Sequence, residues 1–405
     1  MSRKLAYIVK IASCEPIPDT ERLSVATMEG NGWNVVVGRD EFSKGEYAIF
    51  FEIDSALNPN DERFAFLKDR CLRKFVTKSG QVLREVIRIK TVKLRGVVSQ
   101  GLLMRIQKFP EITQYLVRTG TPKSEGGNGA FWNVEIPIDW GNGRVFGYNS
   151  YALNGFDVTE FLHVEHFDEL KEQYAPACGS NPIAADALGT FPTKFIPKTD
   201  EDRLTNHTDF FETMKGRKFQ ITEKADGSSC TVFYSPTIDA ENPYGVCSRN
   251  LRLKEVDNNG NESLMHKVAK KYNLEQILRN HFNETGEELA IQAELVGPGV
   301  NSNRDKFPDW EIRAFYVWNI TKQEYYNPNC AYEFCKKHDI PHVKVIDTDI
   351  PFFDRINNLK DALSFADGKT DRGNLREGVV LKSTDEMQRV SFKIISNKYL
   401  LKEED

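Results

Sequence analysis

Short runs of β-branched and aromatic residues, separated by glycine, proline, aspartate and asparagine, recur through residues 5–106. The runs read LAYIVKIA, NVVVG, YAIFFEI, VIRIK and GLLMRI. Several short strands with frequent turns are typical of a small β-barrel or sandwich. Because the chain has 405 residues, we expect two or three domains, each with a core of its own.

The second half of the chain alternates strand-like and helical segments. ESLMHKVAKKYNLEQILRNHF has apolar residues at helical spacing, whereas ELAIQAELVG, IRAFYVWNI, EGVVLK and VSFKI are strand-like. This mixture predicts an α+β domain built on antiparallel sheets. We place it at residues 191–405, after a first domain at 1–165 and a linker at 166–190. Residues 107–155, rich in glycine and aromatic residues, are predicted to be an inserted or extended region of the first domain.

The composition indicates a globular protein that is neither disordered nor embedded in a membrane. Hydrophobic residues make up 40% and charged residues 28% of the chain. We find no apolar run of about 20 residues and no signal peptide. The seven cysteines are an odd number and do not form a disulfide framework by pattern. We therefore expect an intracellular, cytoplasmic monomer with no membrane partner.

Positive charge is concentrated in one part of the first domain. From Lys68 to Arg95 there are ten Lys and Arg against two acids, a balance of +8 in a chain whose net charge is −5. A basic patch on an acidic protein favours a local contact with nucleic acid, although a solvated strand face remains the alternative. The residues that we assign to RNA binding are Arg84, Arg88, Lys90, Lys93 and Arg95.

The stretch ITEKADGSSCTVF, residues 221–233, places a lysine where a strand meets a tight turn. Strand-forming residues flank Lys224, Asp226 and Gly227, which suit the turn. A lysine at the end of a buried strand is costly unless it is paired or takes part in a reaction. The residue is therefore either a surface turn lysine or a buried amine that reacts.

Two other patterns give weaker signals. Cys330, Cys335, His338 and His342 hint at zinc, but the gap between the pairs is too short for a finger and the segment reads as one helix. EGGNG at 125–129 lacks the lysine and the serine or threonine of a phosphate-binding P-loop. We expect neither a zinc site nor a P-loop.

Several segments of the second half together resemble the motifs of the covalent nucleotidyltransferases, the ligases and capping enzymes that form a lysine–nucleotide adduct. In order, they are KADGSS, SRN, QAELVG, FYVWN, REGVVLK and SFKIIS. FIPKTDEDRLTN, residues 195–206, is similar to the segment that precedes the nucleophile in nick-sealing RNA ligases. The resemblance covers roughly residues 190–400, and a lone match would carry a real false-positive risk.

A second resemblance concerns the first domain. IKTVKLRGVVSQGLLM, residues 89–104, with ERLSVATMEG and VVVG upstream, looks like the OB-fold tRNA-binding module of some aminoacyl-tRNA synthetases. An N-terminal OB-fold β-barrel followed by a ligase-type nucleotidyltransferase domain is the arrangement of one branch of nick-sealing RNA ligases. DNA ligases and capping enzymes usually carry the OB module after the catalytic domain, and we expect none there.

The resemblance implies an ATP-dependent RNA ligase that seals 3′-OH/5′-PO4 nicks through a lysyl-AMP and then an RNA-adenylate. Its partner would be nicked duplex RNA or an RNA–DNA hybrid. The implied catalytic residues are Lys224, which becomes bonded to AMP, with Lys382 and Lys393. The implied nucleotide-binding residues are Glu223, Asp226, Gly227, Arg249, Asn250, Glu294, Trp318, Asn319, Lys382 and Lys393.

Several roles follow from the chemistry that this reaction needs. The attacking amine must be neutral, so we expect Lys382, Lys393 and a metal ion to lower the pKa of Lys224. Carboxylates beside a phosphate require a cation between them, so Asp226, Glu294 and Glu377 are predicted to hold Mg²⁺ or Mn²⁺, largely through water. Glu294 contacting the ribose is the alternative. The predicted platform for adenine is Trp318.

One departure from the family pattern concerns the last motif. Related ligases often have two lysines separated by one residue, whereas here Lys393 is followed by Ile395 at the second position. Lys398 is a candidate replacement. Two other functions stay open: a GTP-dependent capping guanylyltransferase, and a non-catalytic RNA- or tRNA-binding protein with a ligase-like scaffold.

Overall fold

The computed structural model describes residues 4–77, 79–112, 120–123, 131–139, 145–151, 154–174, 187–256 and 260–402. The chain divides into two compact units, Met1–Asn181 and Pro182–Asp405. The domain boundaries placed at residues 165 and 191 stay a prediction. None of the helices in the described ranges is long and apolar enough to cross a membrane.

The first unit is built mainly of antiparallel strands. They are β1 (Ala6–Pro16), β2 (Leu23–Met28), β3 (Asn34–Gly38), β4 (Tyr47–Phe51), β5 (Ser55–Leu57), β6 (Leu72–Val76), β7 (Val82–Arg88), β8 (Thr91–Leu94), β9 (Val97–Gln100), β10 (Leu102–Arg105), β11 (Gly120–Lys123), β12 (Phe131–Asp139), β13 (Val145–Tyr151) and β14 (Glu165–His166). The helical segments are the 3-10 helices Glu62–Leu67 and Ile106–Lys108 and the α-helices α1 (Lys68–Cys71) and α2 (Phe167–Tyr174).

These strands form several sheets, and two of the strands, β1 and β4, contribute side chains to two apolar clusters. The orders are β10-β4-β1-β2-β3, β14-β5-β7-β6 and β11-β12-β13, with β8 and β9 as a hairpin. Strands β1 and β4 pair with Ile8 opposite Ile49 and Tyr7 opposite Phe50. The two isoleucines lie in one apolar cluster, and Tyr7 and Phe50 lie in another. Burial on both faces explains why these strands read as unbroken apolar runs.

Helix α2 falls inside the segment predicted as a linker. Phe167 and Leu170 of this helix are buried with Phe75 and Val86 of strands β6 and β7. Apolar contacts of this kind fix a helix to its domain. Residues 167–174 therefore belong to the core of the first unit.

The second unit contains the remaining strands and most of the helices. Its strands are β15 (Ala187–Thr190), β16 (Asp202–Arg203), β17 (Phe219–Glu223), β18 (Ser228–Tyr234), β19 (Tyr244–Cys247), β20 (Leu251–Leu253), β21 (Leu289–Val296), β22 (Glu311–Asn319), β23 (Glu324–Tyr325), β24 (Val345–Ile350), β25 (Gly378–Ser383) and β26 (Ser391–Ile395). Its helices are the 3-10 helix Leu204–Asn206, α3 (Phe210–Thr213), α4 (Leu264–Lys271), α5 (Leu274–Thr285), α6 (Pro328–Lys337), α7 (Phe352–Arg355), α8 (Leu359–Ala366) and α9 (Asn397–Lys402).

Two sheets organise this unit. The larger has seven strands in the order β15-β20-β19-β18-β21-β22-β23, and the smaller has five in the order β16-β26-β25-β17-β24. The pairs are antiparallel, as expected, apart from β16 with β26, which is parallel. Helices α4, α5 and α6 cover one face of the larger sheet. Helices α3, α7 and α8 pack against the smaller one.

The two sheets of this unit meet at a buried lysine. Lys382 of β25 is 1% exposed and donates a hydrogen bond of 2.6 Å to the carbonyl oxygen of Phe315 in β22. Its ammonium also lies 4.3 Å from the centroid of the Tyr316 ring. Burial, partly offset by the Glu201 carboxylate, lowers the pKa of Lys382 to about 7.

This burial predicts that stability rises with pH above neutrality. The pKa of Lys382 is about 7 in the folded protein, below its ordinary value of 10.5, so between these values the unfolded chain binds more protons. The free energy of unfolding should therefore increase by about 1 kcal/mol per pH unit from this group alone. Lys382→Met should flatten the increase, measured by urea unfolding at pH 7.5 and 9.

Lys360→Met is the matched control, because Lys360 is an exposed lysine of helix α8 in the same unit. This variant also loses one lysine but leaves the buried Lys382 in place, so it measures how far the loss of any lysine changes the pH dependence. A Lys382→Met protein that keeps the pH dependence of the control would contradict the buried, deprotonating lysine.

Candidate active site

The turn that carries Lys224 links the two sheets of the second unit. Strand β17 of the smaller sheet ends at Glu223, and β18 of the larger sheet begins at Ser228. The backbone N–H of Lys224 donates to the carbonyl oxygen of Gly378 at 3.0 Å, which holds the turn against β25. A Cβ at Gly227 would lie 2.3 Å from the carbonyl oxygen of Leu295, so this position requires glycine.

The amine of Lys224 lies beside a carboxylate from the strand that holds the turn. Its Nζ is 2.7 Å from Oε1 of Glu377, and the two side chains are only 26% and 16% exposed. Glu377 immediately precedes β25, and its carbonyl oxygen accepts a hydrogen bond of 2.9 Å from the N–H of Ser396. The structure thus brings together two residues that sequence analysis assigned to different motifs.

Glu294 faces the same turn from the larger sheet. It lies on β21 opposite Ser229, the second residue of β18. Burial raises the pKa of Glu294 to about 7, and the neighbouring Glu377 and Asp226 carboxylates add to that rise, whereas Lys224 opposes it. Within the described residues, Oε2 of Glu294 and Oε2 of Glu377 are buried without a hydrogen-bond partner. Such atoms are costly to bury unless a ligand satisfies them.

The charge around Lys224 corrects one expectation. Burial acts to lower the pKa of Lys224, but Glu377, Glu294 and Asp226 outweigh burial and raise it. Lys382 and Lys393, which we expected to lower this pKa, have partners of their own. Lys382 is bound to Phe315, and Nζ of Lys393 lies 3.7 Å from Oδ1 of Asp200. In the absence of ligands the amine is therefore held in its protonated form.

The Asp200 carboxylate lies near two of the predicted nucleotide-binding residues, Arg249 and Lys393. It lies 3.3 Å from Nη2 of Arg249. The neighbouring Asn250 accepts a hydrogen bond from the amine of Lys198. Arg249 follows strand β19 of the larger sheet, whereas Lys393 lies on β26 of the smaller sheet. Because both lie near the Asp200 carboxylate, the two cations lie in the same part of the second unit.

Ile395 and Lys398 do not restore the second lysine of the last motif. Ile395 is 6% exposed and lies in the core. Lys398 is 67% exposed and its Nζ lies 3.0 Å from Oδ2 of Asp367. Lys398 is thus a surface ion-pair partner in this structure.

Trp318 and Asn319 both have partners within the protein, and their assignment to nucleotide binding stays a prediction. Trp318 is 7% exposed, and its indole N–H donates to the carbonyl oxygen of Phe195 at 2.9 Å. The indole also packs edge-on against Tyr325, with 4.6 Å between ring centroids. Asn319 donates to Glu287 at 2.9 Å. The Trp318 side chain is therefore largely covered by the protein's own residues in the ligand-free structure.

Glu223 remains a candidate for contact with a nucleotide. Burial raises the pKa of Glu223, partly opposed by Lys344, whose Nζ lies 3.8 Å from Oε1. Among described residues this Oε1 has no hydrogen-bond partner. A buried carboxylate oxygen beside the nucleophile turn is suited to accept a hydrogen bond from a ligand.

Two residues that sequence analysis missed contact the nucleophile turn. Tyr399 of helix α9 donates a hydrogen bond of 2.6 Å to Oδ2 of Asp226. Nδ2 of Asn301 lies 3.3 Å from Oδ1 of Asp226 and also donates to the carbonyl oxygen of Gly227. Neither residue lies in a segment that resembles a family motif, so the sequence offered no signal for them.

Two arginines of the basic patch in the first unit, Arg84 and Arg88, form ion pairs within the protein. Nη2 of Arg88 lies 2.8 Å from Oδ1 of Asp54, and its guanidinium stacks 4.6 Å from the Phe167 centroid. Arg84 pairs with Glu165 at 2.6 Å. These contacts engage Arg84 and Arg88 within the protein, and their assignment to RNA binding stays a prediction.

Lys93 and Arg95 are exposed members of that patch, and Arg84 is exposed as well. Lys93 and Arg95 lie on the β8–β9 hairpin, whose turn residues Arg95 and Gly96 both have positive φ, 49° and 82°. Positive φ at both central residues is the geometry of a tight two-residue hairpin. The turn projects both cations toward solvent. Lys90 lies between the two groups in sequence and stays a predicted contact.

Helix α6 contains Cys330 and Cys335 of the zinc-like pattern, and the two histidines follow the helix. Cys335 is 1% exposed and packs in the apolar core, and His342 lies near Tyr332, with 5.3 Å between ring centroids. Across the described ranges, no three His, Cys, Asp or Glu side chains form a group that could hold a metal ion directly. The other decoy, EGGNG at 125–129, lies outside the described residues.

Comparison with known proteins places both parts of the chain. Residues 217–395 match the family model of RNA ligase, and residues 5–106 match that of an OB-fold domain. Among curated proteins, no match was found.

Solved structures of Naegleria gruberi RNA ligase variants resemble this structure over almost the full length of both chains. One variant with AMP and Mn has 27% identity and a TM-score of 0.73, covering 98% of each chain. A second variant, with ATP and Mn, has the same identity and TM-score and covers 100% of each chain. A third, without ligand, also shows 27% identity and a TM-score of 0.73.

These comparisons confirm the predicted fold class, an OB-fold domain followed by an α+β ligase domain. Residues 217–395 thus match the RNA ligase family, and an OB-fold domain matched at residues 5–106 precedes them.

Proposed function

We propose that the chain is an ATP-dependent RNA ligase that seals 3′-OH/5′-PO4 nicks. The observation that carries this proposal is the Lys224 amine, held 2.7 Å from Glu377 at the turn between the two sheets. Buried carboxylate oxygens of Glu294 and Glu377 flank it. Solved structures of a similar RNA ligase contain ATP or AMP and Mn, which supports ATP as the nucleotide and a divalent ion as the metal.

The reaction has three steps. Nζ of Lys224 attacks the α-phosphorus of ATP, a P–N bond forms, and pyrophosphate leaves as the amine loses its protons to the medium. An oxygen of the RNA 5′-phosphate then attacks that phosphorus, the P–N bond breaks, and the lysine regains a proton. Finally, the 3′-hydroxyl attacks the RNA 5′-phosphorus, and AMP leaves with the new phosphodiester in place.

The first step depends on how Lys224 loses a proton. The surrounding carboxylates raise the pKa of its amine, so the resting amine is charged and cannot attack. Oε1 of Glu377 lies within hydrogen-bond reach of that proton. Glu377 therefore holds the amine in place before the reaction and lies where the proton must leave.

The carboxylates around Lys224 fit a divalent ion held mainly through water. No direct three-ligand cluster is present among the described residues, but the orphaned oxygens of Glu294 and Glu377 need a partner. Mg²⁺ commonly keeps several of its waters and binds through one or two carboxylates. Glu294 and Glu377, with Asp226 beside them, would hold Mg²⁺ or Mn²⁺. When bound, the ion would neutralise phosphate charge in the transition state.

Arg249 and Lys393 are the proposed contacts for phosphate. Both lie near the Asp200 carboxylate, at 3.3 and 3.7 Å. An incoming phosphate would compete with this carboxylate for the same two cations. Asn250, next to Arg249, would contact the ribose or the acceptor strand.

Replacing Lys224 tests the nucleophile directly. Lys224→Ala should abolish label transfer from [α-³²P]ATP to the protein, because no amine remains to form the P–N bond. The same variant should still seal a nick whose 5′-phosphate is already adenylylated, since Nζ does not form a bond in that step. Lys360→Ala, at an exposed position of the same unit, should behave as the wild type in both assays.

Labelling of Lys224→Ala would show that another residue is the nucleophile. Labelling of the wild type by [α-³²P]GTP in preference to ATP would favour the capping reaction. A wild-type protein that binds RNA but never becomes labelled would support the non-catalytic scaffold.

Charge reversal on the exposed hairpin tests the proposed RNA contact. Lys93→Glu with Arg95→Glu should weaken binding and sealing of nicked duplex RNA and leave self-adenylylation within about twofold. The slope of log Kd against log salt should fall by about 1 to 2, as expected for the loss of phosphate contacts. Lys44→Glu, another exposed lysine of the first unit, is the control.

Equal loss of adenylylation and sealing in the double variant would contradict a role limited to RNA. The comparison is best made on a panel of nicked duplexes with RNA or DNA on either side of the nick. That panel also measures whether RNA–DNA hybrids are substrates.

A further inference from the structure

Asp226 is held by side chains from two regions remote in sequence. Tyr399, 173 residues away, donates to Oδ2 at 2.6 Å. Asn301, 75 residues away, lies 3.3 Å from Oδ1 with its Nδ2. Each carboxylate oxygen of Asp226 thus has a donor that is not part of the nucleophile turn. Tyr399 is 5% exposed, so its hydroxyl is shielded from competing water.

Asn301 also grips the backbone of the turn. Its Nδ2 donates to the carbonyl oxygen of Gly227, the residue that packs against Leu295. One amide group therefore contacts both the side chain of Asp226 and the peptide that follows it. Because Lys224 and Asp226 are two residues apart, any movement of this turn would displace the reacting amine.

The loop that carries Asn301 has an unusual backbone. Asn301, Ser302 and Asn303 have φ values of 37°, 46° and 41°, a run of left-handed conformations in residues other than glycine. Such conformations are disfavoured and persist only where the surroundings impose them. Here Asn303 bonds to Phe307 through both side-chain atoms at 2.9 Å. Asp305 accepts a hydrogen bond of 2.8 Å from Thr370.

The same loop supports the tyrosine. The guanidinium of Arg304 lies 4.6 Å from the centroid of the Tyr399 ring. A cation over an aromatic face stabilises both groups. The loop and helix α9 thus converge on Asp226 and also contact each other. A strained loop fixed at this point is expected where geometry is set for a reaction.

We propose that Tyr399 and Asn301 are positioning residues for the adenylylation of Lys224. By holding Asp226 and the carbonyl oxygen of Gly227, they fix the turn so that Nζ of Lys224 points at the α-phosphorus of ATP. The proposal rests on the function proposed above and deepens it. If it is right, adenylylation of Lys224 should be impaired and sealing of pre-adenylylated RNA should not, because that sealing step forms no bond to Lys224.

The test is a kinetic comparison of the full chain and its variants. Tyr399→Phe removes the hydroxyl and keeps the ring, so the maximal rate of adenylylation should fall between about tenfold and a hundredfold. The KM for ATP and the rate of sealing pre-adenylylated nicked RNA should stay within twofold. Tyr234→Phe, which removes the hydroxyl of another buried tyrosine packed against Phe282, is the control. It should leave all three quantities unchanged.

Asn301→Gly provides an independent variant, since glycine accepts the positive φ but cannot bond to Asp226. Its maximal rate should fall in the same way. The double variant Tyr399→Phe/Asn301→Gly should lose less than the product of the two single losses, because both residues act on one carboxylate. A purely structural role would instead lower the melting temperature and reduce adenylylation and pre-adenylylated sealing together.

Wild-type rates of adenylylation in Tyr399→Phe and Asn301→Gly would overturn the positioning role. Equal losses in adenylylation and pre-adenylylated sealing would also overturn it. A wild-type protein that forms no adduct with ATP would instead overturn the proposed function. The two failures are therefore distinguishable in one set of assays.

Discussion

The ion pair between Lys224 and Glu377 joins the turn between the two sheets to the residue that precedes strand β25, and it sets the charge of the candidate site. It forms where the chain leaves one sheet for the other, 2.7 Å from nitrogen to oxygen. Both sides of the pair require close backbone packing. A Cβ at Gly227 would lie 2.3 Å from the Leu295 oxygen, and one at Gly378 would lie 2.2 Å from the Ile394 oxygen. Each glycine thus allows close packing inside one sheet, Gly227 beside the larger sheet's β21 and Gly378 beside the smaller sheet's β26.

The electrostatics of this pair explain why the site needs its ligands to react. Three carboxylates, those of Glu377, Glu294 and Asp226, raise the pKa of Lys224 against the effect of burial. Burial and like charges raise the pKa of Glu294 to about 7. A site with this excess of negative charge is poised to accept cations, and its orphaned oxygens have unmet hydrogen-bonding capacity. The ligand-free protein therefore keeps the amine of Lys224 protonated.

The sequence predicted those parts of the structure that depend on local pattern and on the order of motifs. Antiparallel strands in the second half and an OB-fold domain before the ligase domain are confirmed. Lys224, Asp226, Glu294 and Glu377 meet at one site.

What the sequence could not predict depends on long-range packing. Strand periodicity does not reveal that the indole of Trp318 is bonded to Phe195, or that Arg88 is paired with Asp54. Nor does any pattern connect Tyr399 with Asp226 across 173 residues.

The most direct measurement identifies the residue that carries the AMP adduct. The wild-type protein would be incubated with ATP and Mg²⁺, digested, and analysed by peptide mass spectrometry. The account predicts one added adenylate on the peptide that contains Lys224, lost again when pyrophosphate is supplied. An adenylate on a different residue, or none at all, would contradict it.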